Sequence, residues 1–438
     1  MRISARINVL GVSPGKGKLP CPGIFRVVEP YRVFKGCETL DYLEMEKNFE
    51  SDRIKNLPPY LFQEINARKL QARKEGKDII DLGMGNPDMS PPLPVIEKLK
   101  EVLDAPKVHR YSVSKGIFHL RKEICNWYRK KYGVKLDPEE EAIVCIGSKE
   151  GISHLALSIF NKGDVVLVPN PTYPSHFYSI IISGASVYDI PLTKENNFIP
   201  DLSKNVYEGF PKPKAMILSY PNNPTTQVVD IEFFKEVVKF CQKNKIIVIH
   251  DLAYAEICFD GYKAPSFLQV DGAKEIGIEF YSLSKTYNMA GWRIGFIVGN
   301  KDILKAIAKL KSYYDYGIFT PLQVAGICAL RLEKQYIDKT VETYQKRRDT
   351  LVDGLNRIGW NVEKPKATMY VWAEIPEKFK KMGSMKFALY LLEKAEVAVS
   401  PGIGFGKYGE GFVRFALVEN EHRIKQAIRS LRKIFKNS

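Results

Sequence analysis

Lys285 stands in the run Phe280-Tyr281-Ser282-Leu283-Ser284-Lys285-Thr286-Tyr287-Asn288, and eight residues later Arg293 follows in Gly291-Trp292-Arg293-Ile294-Gly295. A lysine closing so apolar and aromatic a strand does not cheaply stay an unpaired ammonium, because burial disfavours the charged form. It forms a salt bridge, reaches solvent from the strand end, or serves as a neutral amine that condenses with an aldehyde. The hydroxyls of Ser282 and Ser284 and the fixed cation of Arg293 favour the third outcome, with an aldehyde that carries a phosphate.

In amino-acid chemistry that aldehyde is pyridoxal phosphate, with Arg293 on its phosphate. Other junctions supply matching parts. The apolar run Ile246–Ile249 leads through His250 to Asp251, with Tyr254 three residues on. A buried parallel strand of this kind delivers its carboxyl end to a ligand. Asp251 there either pairs with a protonated pyridine nitrogen or caps the next helix. Tyr254 is within reach of a ring hydroxyl, and Asn223, stiffened by Pro224, can aim its amide at the same oxygen. After the strand Ala142–Ile146, Gly147 leads into Ser148, Lys149 and the amphipathic stretch Ile152–Phe160, a helix N-terminus suited to phosphate. Tyr173, on the proline-stiffened loop after Val165–Val168, either stacks on a flat ring or packs in the core. Arg414, in the alternating strand Phe412–Ala416, suits a carboxylate held in two places or a structural ion pair with an internal acid.

Taken together, these junctions resemble fold-type I pyridoxal-phosphate enzymes, specifically the class I and II aminotransferases, from about Arg53 to Phe435. The resemblance implies an α/β fold with a mainly parallel seven-stranded sheet flanked by helices, and a smaller α/β C-terminal domain. It makes Lys285 the Schiff-base lysine and freed base, with Asp251 on the pyridine nitrogen, Tyr254 and Asn223 on the ring oxygen, and Tyr173 on the ring face. It assigns Ser148, Lys149, Ser282, Ser284 and Arg293 to the phosphate region, and Tyr111 to the phosphate of a partner subunit in a homodimer with shared active sites. Arg414 is implied for the substrate α-carboxylate, with Gly85 and Tyr60 lining that pocket and Asn223 beside it.

The strings Leu57-Pro58-Pro59-Tyr60, Ser148-Lys149-Glu150-Gly151 and Ser284-Lys285-Thr286-Tyr287-Asn288-Met289-Ala290-Gly291-Trp292-Arg293 are similar to bacterial glutamate-pyruvate (alanine) transaminases. That likeness implies exchange of an amino group between L-alanine and 2-oxoglutarate, giving pyruvate and L-glutamate. Related branches with overlapping motifs use aspartate, methionine or LL-diaminopimelate, and aspartate or LL-diaminopimelate transamination is the alternative reading. A carbon-sulfur lyase on the same scaffold, and a pyridoxal-phosphate-sensing transcription regulator, are further alternatives. The Pro- and Gly-containing N-terminal stretch resists the helical DNA-binding module that a regulator needs.

The elements that must position these residues follow from the pattern. At 438 residues and 45% hydrophobic content the chain can bury large cores. Residues 1–52 read as an extension, 53–93 as an arm and strand joined to a small domain, 94–332 as the large cofactor-binding domain, and 333–438 as the small C-terminal domain. The stretch Lys334–Ile358 reads as a helix bridging the two domains, and Met369–Ile375 and Val397–Ser400 as strands. Within the extension Met45 is a candidate start, and Glu29, Glu38, Asp41 and Glu44 argue against an acid-poor presequence. The formal charge of +16 is spread among acids along helical stretches, a solvated surface rather than a nucleic-acid face. The seven cysteines, including Cys21 and Cys37, lack metal spacing and read as reduced thiols. With no apolar run of membrane length, the expected setting is the cytoplasm, with small amino acids and 2-oxo acids as partners and no metal.

Overall fold

A computed structural model describes residues 49–58, 62–202 and 209–436. Tyr60, Met45, Cys21, Cys37 and residues 1–48 of the extension lie outside the described residues. Residues 50–438 form one compact unit.

The strands, in chain order, are β1 (Ile80–Asp81), β2 (Ala142–Cys145), β3 (Val165–Asn170), β4 (Ser186–Pro191), β5 (Ala215–Ser219), β6 (Ile247–Asp251), β7 (Gly277–Ser282), β8 (Gly295–Gly299), β9 (Tyr370–Glu374), β10 (Val397–Ala398), β11 (Ser400–Pro401) and β12 (Phe412–Ala416). Seven of them build one sheet in the order β2-β8-β7-β6-β5-β3-β4. Its pairs are parallel except at β8, which runs antiparallel to both β2 and β7. Alternation along the strands feeds two cores. Cys145, Val166, Ile217, Ile249 and Phe280 meet the helices Ser148–Ile159, Pro174–Ser183 and Lys301–Tyr314. Val144, Leu167, Met216, Val248 and Tyr281 meet the helices Phe118–Tyr132, Ile231–Asn244 and Thr320–Arg331 on the other face. Covering both faces explains why these strands are apolar throughout rather than alternating.

A third core joins the antiparallel sheet β11-β12-β9 to the helices Lys334–Arg357, Gly383–Ala395 and Glu421–Lys436. Two expectations change here. Val397–Ser400 is not one strand: β10 pairs with β1, and after Val399 the chain joins β12 as β11. The stretch expected to be an arm and strand holds the helix Phe62–Lys74 before the short β1, in keeping with its Ala, Leu, Gln, Arg and Lys content.

Direction decides where chemistry can gather. Because β8 is reversed, β2 points the same way as β7, so the carboxyl ends of β2, β3, β5, β6 and β7 share an edge with the amino end of β8. Antiparallel neighbours need no crossover. Lys285 and Arg293 therefore lie in one connection, residues 283–294, at that edge. Beneath it, the fully buried Glu279 of β7 accepts from Tyr128 Oη at 2.7 Å, Ser266 Oγ at 2.7 Å and Phe267 N at 2.9 Å, and lies 2.8 Å from His250 Nδ1. Those donors meet the cost of burying a carboxylate and tie β6 to β7 one residue below Asp251.

Candidate active site

A cavity of about 310 Å³ opens at this edge, and Ser148, Lys149, Tyr173, Asn223, Asp251, Tyr254, Ser282, Ser284, Lys285, Arg293, Gly85 and Arg414 all line it. Tyr111 does not. It is 86% exposed and lies against Tyr316 with ring centroids 4.7 Å apart.

Lys285 sits not at the end of β7 but in the single helical turn Leu283–Thr286 after it. That turn swings the amine across to β1's extension, where Nζ donates to Gly85 O at 2.7 Å. Burial holds its pKa below the ordinary lysine value, reinforced by the charges of Arg414 and Arg293 against an opposing effect of Tyr370. The amine thus loses its proton more easily than a surface lysine, as a nucleophile or base requires.

One end of the cavity is built for a phosphate. Ser148 is the first residue of a twelve-residue helix, so free N–H groups and the helix dipole point at the space. Arg293 adopts left-handed φ of 57° and donates from Nη1 to Ala290 O at 2.8 Å. A Cβ at Gly147 would overlap the Arg293 guanidinium, so the glycine is what lets the cation lie over the helix start. The Ser148 hydroxyl is buried with no protein partner, which suits an oxygen supplied from the cavity. Ser282 and Ser284 hydrogen-bond each other, Oγ to Oγ, at 2.9 Å.

Asp251 is likewise half-engaged. Its Oδ2 lies 2.9 Å from His176 Nε2, and His176 Nδ1 lies 2.8 Å from Thr172 Oγ1. Oδ1 is buried and unpartnered, and so is open to the N–H of a bound ring. The buried, half-used Asp251 and Ser148, at two places along one edge, fit a flat nitrogen ring carrying a phosphate.

Arg414 settles one alternative raised by the sequence. It pairs with no carboxylate among the described residues: Nη1 donates to Asn223 Oδ1 at 2.6 Å and Nη2 to Gly83 O at 3.1 Å, with Ser400 Oγ at 3.4 Å. Its guanidinium stacks over Tyr370 at 4.0 Å and Phe405 at 4.5 Å. A buried guanidinium held by neutral groups keeps an uncompensated charge for an incoming carboxylate.

Tyr254, expected near a ring hydroxyl, has a second phenol beside it. Its hydroxyl lies 3.0 Å from that of Tyr370, a residue the motifs did not reveal. Burial and the neighbouring Tyr370 push the Tyr254 hydroxyl well up. For Tyr370 burial acts in the same upward sense, yet the charges of Arg414 and Lys285 and the Tyr254 hydrogen bond outweigh it and hold the phenol below its ordinary value. Tyr370 fits because Gly85 lacks a side chain, since a Cβ there would overlap its ring and hydroxyl. His176, Ser400, Phe405 and the helix residues Asn66 and Lys69 were also missed. A histidine in the first turn of the helix after Tyr173 is the one local signal among them.

Elsewhere Glu150, His154 and Asp315 have ligand-like spacing, but Lys311 Nζ lies 2.8 Å from Glu150 and 2.9 Å from Asp315, an ammonium where a cation would sit. No helix among the described residues is long and apolar enough to cross a membrane.

Comparison with known proteins agrees with this geometry. Residues 77–431 match the family model for aminotransferase class I and II. The chain is 54% identical to the glutamate-pyruvate aminotransferase AlaC of Escherichia coli, over 88% of this chain and 93% of that one. It is 47% identical to the LL-diaminopimelate aminotransferase of Moorella thermoacetica, over 88% and 98% of the two. Among solved structures, substrate-bound BacF of Bacillus subtilis superposes with a TM-score of 0.84 at 36% identity, covering 88% of this chain and 97% of that one. An aspartate aminotransferase mutant of Thermus thermophilus gives 0.82 at 28%, covering 88% and 99%. An amine with a depressed pKa, a phosphate cradle and an acid-free arginine thus meet in a chain that belongs to the class I and II aminotransferases, pyridoxal-phosphate-dependent transaminases.

Proposed function

We propose that the enzyme exchanges the amino group between L-alanine and 2-oxoglutarate, producing pyruvate and L-glutamate. The observation that carries a transaminase site is the pairing of Lys285 and Arg414 on carbonyls two residues apart, Gly85 O and Gly83 O. The 54% identity to a glutamate-pyruvate aminotransferase supports the choice of substrates. Bound in the cavity, pyridoxal phosphate supplies an electron-withdrawing ring that stabilises negative charge on the amino-acid Cα. The Ser148 hydroxyl, the helix amides and Arg293 hold the phosphate, with Lys149, Ser282 and Ser284 beside it. Asp251 Oδ1 would hold the ring N–H, Tyr173 would cover a ring face, and the Asn223 amide nitrogen, which has no hydrogen bond among the described residues, would reach the ring oxygen while its Oδ1 serves Arg414. Arg414 fixes the α-carboxylate and thereby orients the Cα proton toward Lys285 Nζ, which removes it and later returns a proton. The enzyme works as a cytoplasmic homodimer in which Tyr111 reaches the partner's phosphate.

Identity to LL-diaminopimelate aminotransferases, 47% for that of Moorella thermoacetica, favours a second reading with that donor. Purified holoenzyme is therefore offered L-alanine, L-aspartate and LL-diaminopimelate, each with 2-oxoglutarate. The expected result is glutamate formed fastest from L-alanine, together with pyruvate, and absence of pyruvate overturns the assignment. Lys285→Ala is expected to lower kcat by about a thousandfold or more, on the scale of general acid-base catalysis, and to change the visible absorbance of bound cofactor. Retained turnover removes Lys285 from its role.

A further inference from the structure

One wall of the cavity remains unassigned after the cofactor and the α-carboxylate have their partners. It is the inner face of the helix Phe62–Lys74, where Phe62, Ile65, Asn66 and Lys69 recur at the spacing of one helical face and all line the cavity. Lys69 is 8% exposed, and its Nζ meets Asp81 Oδ2 at 2.6 Å. An ammonium has three donors, so this pairing leaves two. Asn66, one turn away, makes no side-chain hydrogen bond among the described residues although it faces the cavity. The cavity as a whole is lined by five cationic side chains, Lys69, Lys149, Lys285, Arg293 and Arg414, against two carboxylates, Asp81 and Asp251. Asp81 is already engaged by Lys69, with Arg73 Nη2 at 3.8 Å.

We infer that this helix face reads the substrate side chain: Lys69 and Asn66 receive the distal carboxylate of L-glutamate and 2-oxoglutarate, while Phe62 and Ile65 accept a short apolar side chain. The inference rests on the proposed function and adds how one site serves two unlike partners. A two-stage exchange must admit a methyl group in one stage and a carboxylate in the other, and a wall that is half apolar and half hydrogen-bond donor serves both without rearrangement. The contacts also show the competing role. Asp81 Oδ1 accepts from Gly83 N at 3.1 Å, and Gly83 O holds Arg414, so Lys69 is linked to the α-carboxylate site through Asp81. Loss of that link alone would harm every substrate equally.

The test is the ratio of kcat/KM for L-glutamate to that for L-alanine, measured in separate half-reactions of the holoenzyme by the absorbance change of the bound cofactor. Lys69→Met is expected to lower the ratio at least tenfold, and Lys69→Arg to restore most of it. Asn66→Leu, which breaks no side-chain hydrogen bond among the described residues, is expected to lower it about threefold or more. Equal losses on both donors, or an unchanged ratio in both Lys69→Met and Asn66→Leu, overturn the inference. If Lys69→Met does not fold, competitive inhibition of the wild-type holoenzyme decides: glutarate is expected to bind at least tenfold tighter than butyrate, and equal inhibition overturns the inference. A wild-type enzyme that makes no pyruvate from L-alanine refutes the proposed function instead, and the ratio is then read for L-glutamate against L-methionine.

Discussion

Gly85 shows how a residue with no functional group shapes the chemistry. Its carbonyl receives the Lys285 amine, and its missing side chain admits Tyr370 beneath Arg414. Gly85→Ala should push Tyr370 aside, destabilising the protein by ~1–3 kcal/mol as overpacking does. We expect kcat/KM to fall at least tenfold for every amino donor, as read by thermal melting and steady-state kinetics. An unchanged melt and unchanged kinetics would show that the Gly85–Tyr370 packing is dispensable. At this scale the sequence was informative where a polar residue follows an apolar run, as at Ser148, Asn223 and Asp251, because such junctions are local features, whereas Lys285, read as closing the strand, stands in the helical turn after it. Tyr370 lies 116 residues from Tyr254, and no local pattern announces their contact.

The helix Pro174–Ser183 performs a comparable service for Asp251 through His176. Replacing His176 by Phe leaves a second carboxylate oxygen without a partner. A hydrogen bond to a charged group contributes about 1.5–3 kcal/mol, so cofactor affinity should weaken roughly tenfold to a hundredfold in a fluorescence titration of the cofactor-free protein. Undiminished affinity would show that Oδ1 suffices. The elements themselves were mostly readable: Lys334–Arg357 and Ser148–Ile159 lie where apolar spacing placed them. Strand direction was not, since the apolar run Gly295–Gly299 carries no mark that β8 runs backward. The helix Phe62–Lys74 escaped because its inward face mixes Ile65 with Asn66 and Lys69, and a cation facing a cavity looks, in sequence, like one facing water.

Across the whole molecule, exposed aromatic rings gather in one short stretch of chain: Tyr313 is 84% exposed, Tyr314 63% and Tyr316 64%, and Tyr316 lies against Tyr111. Exposed aromatic rings of this kind fit the interface of the proposed homodimer. With the homodimer proposed above, sedimentation of the wild type should give twice the chain mass. The double replacement Tyr111→Glu, Tyr316→Glu should shift it toward the single-chain mass and reduce activity in parallel. A fully active monomer would remove Tyr111 from the partner's site.

The reversal of β8 has one more consequence. With Lys285 and Arg293 in a single twelve-residue connection, residues 283–294, that segment is a ruler between amine and guanidinium, and in the proposed site it would set the span available to the cofactor. An inserted residue there would change the scale of the chemistry itself. The Phe62–Lys74 helix comes from a distant stretch of chain, so in the reading inferred above substrate preference can change through it while the ruler keeps its length.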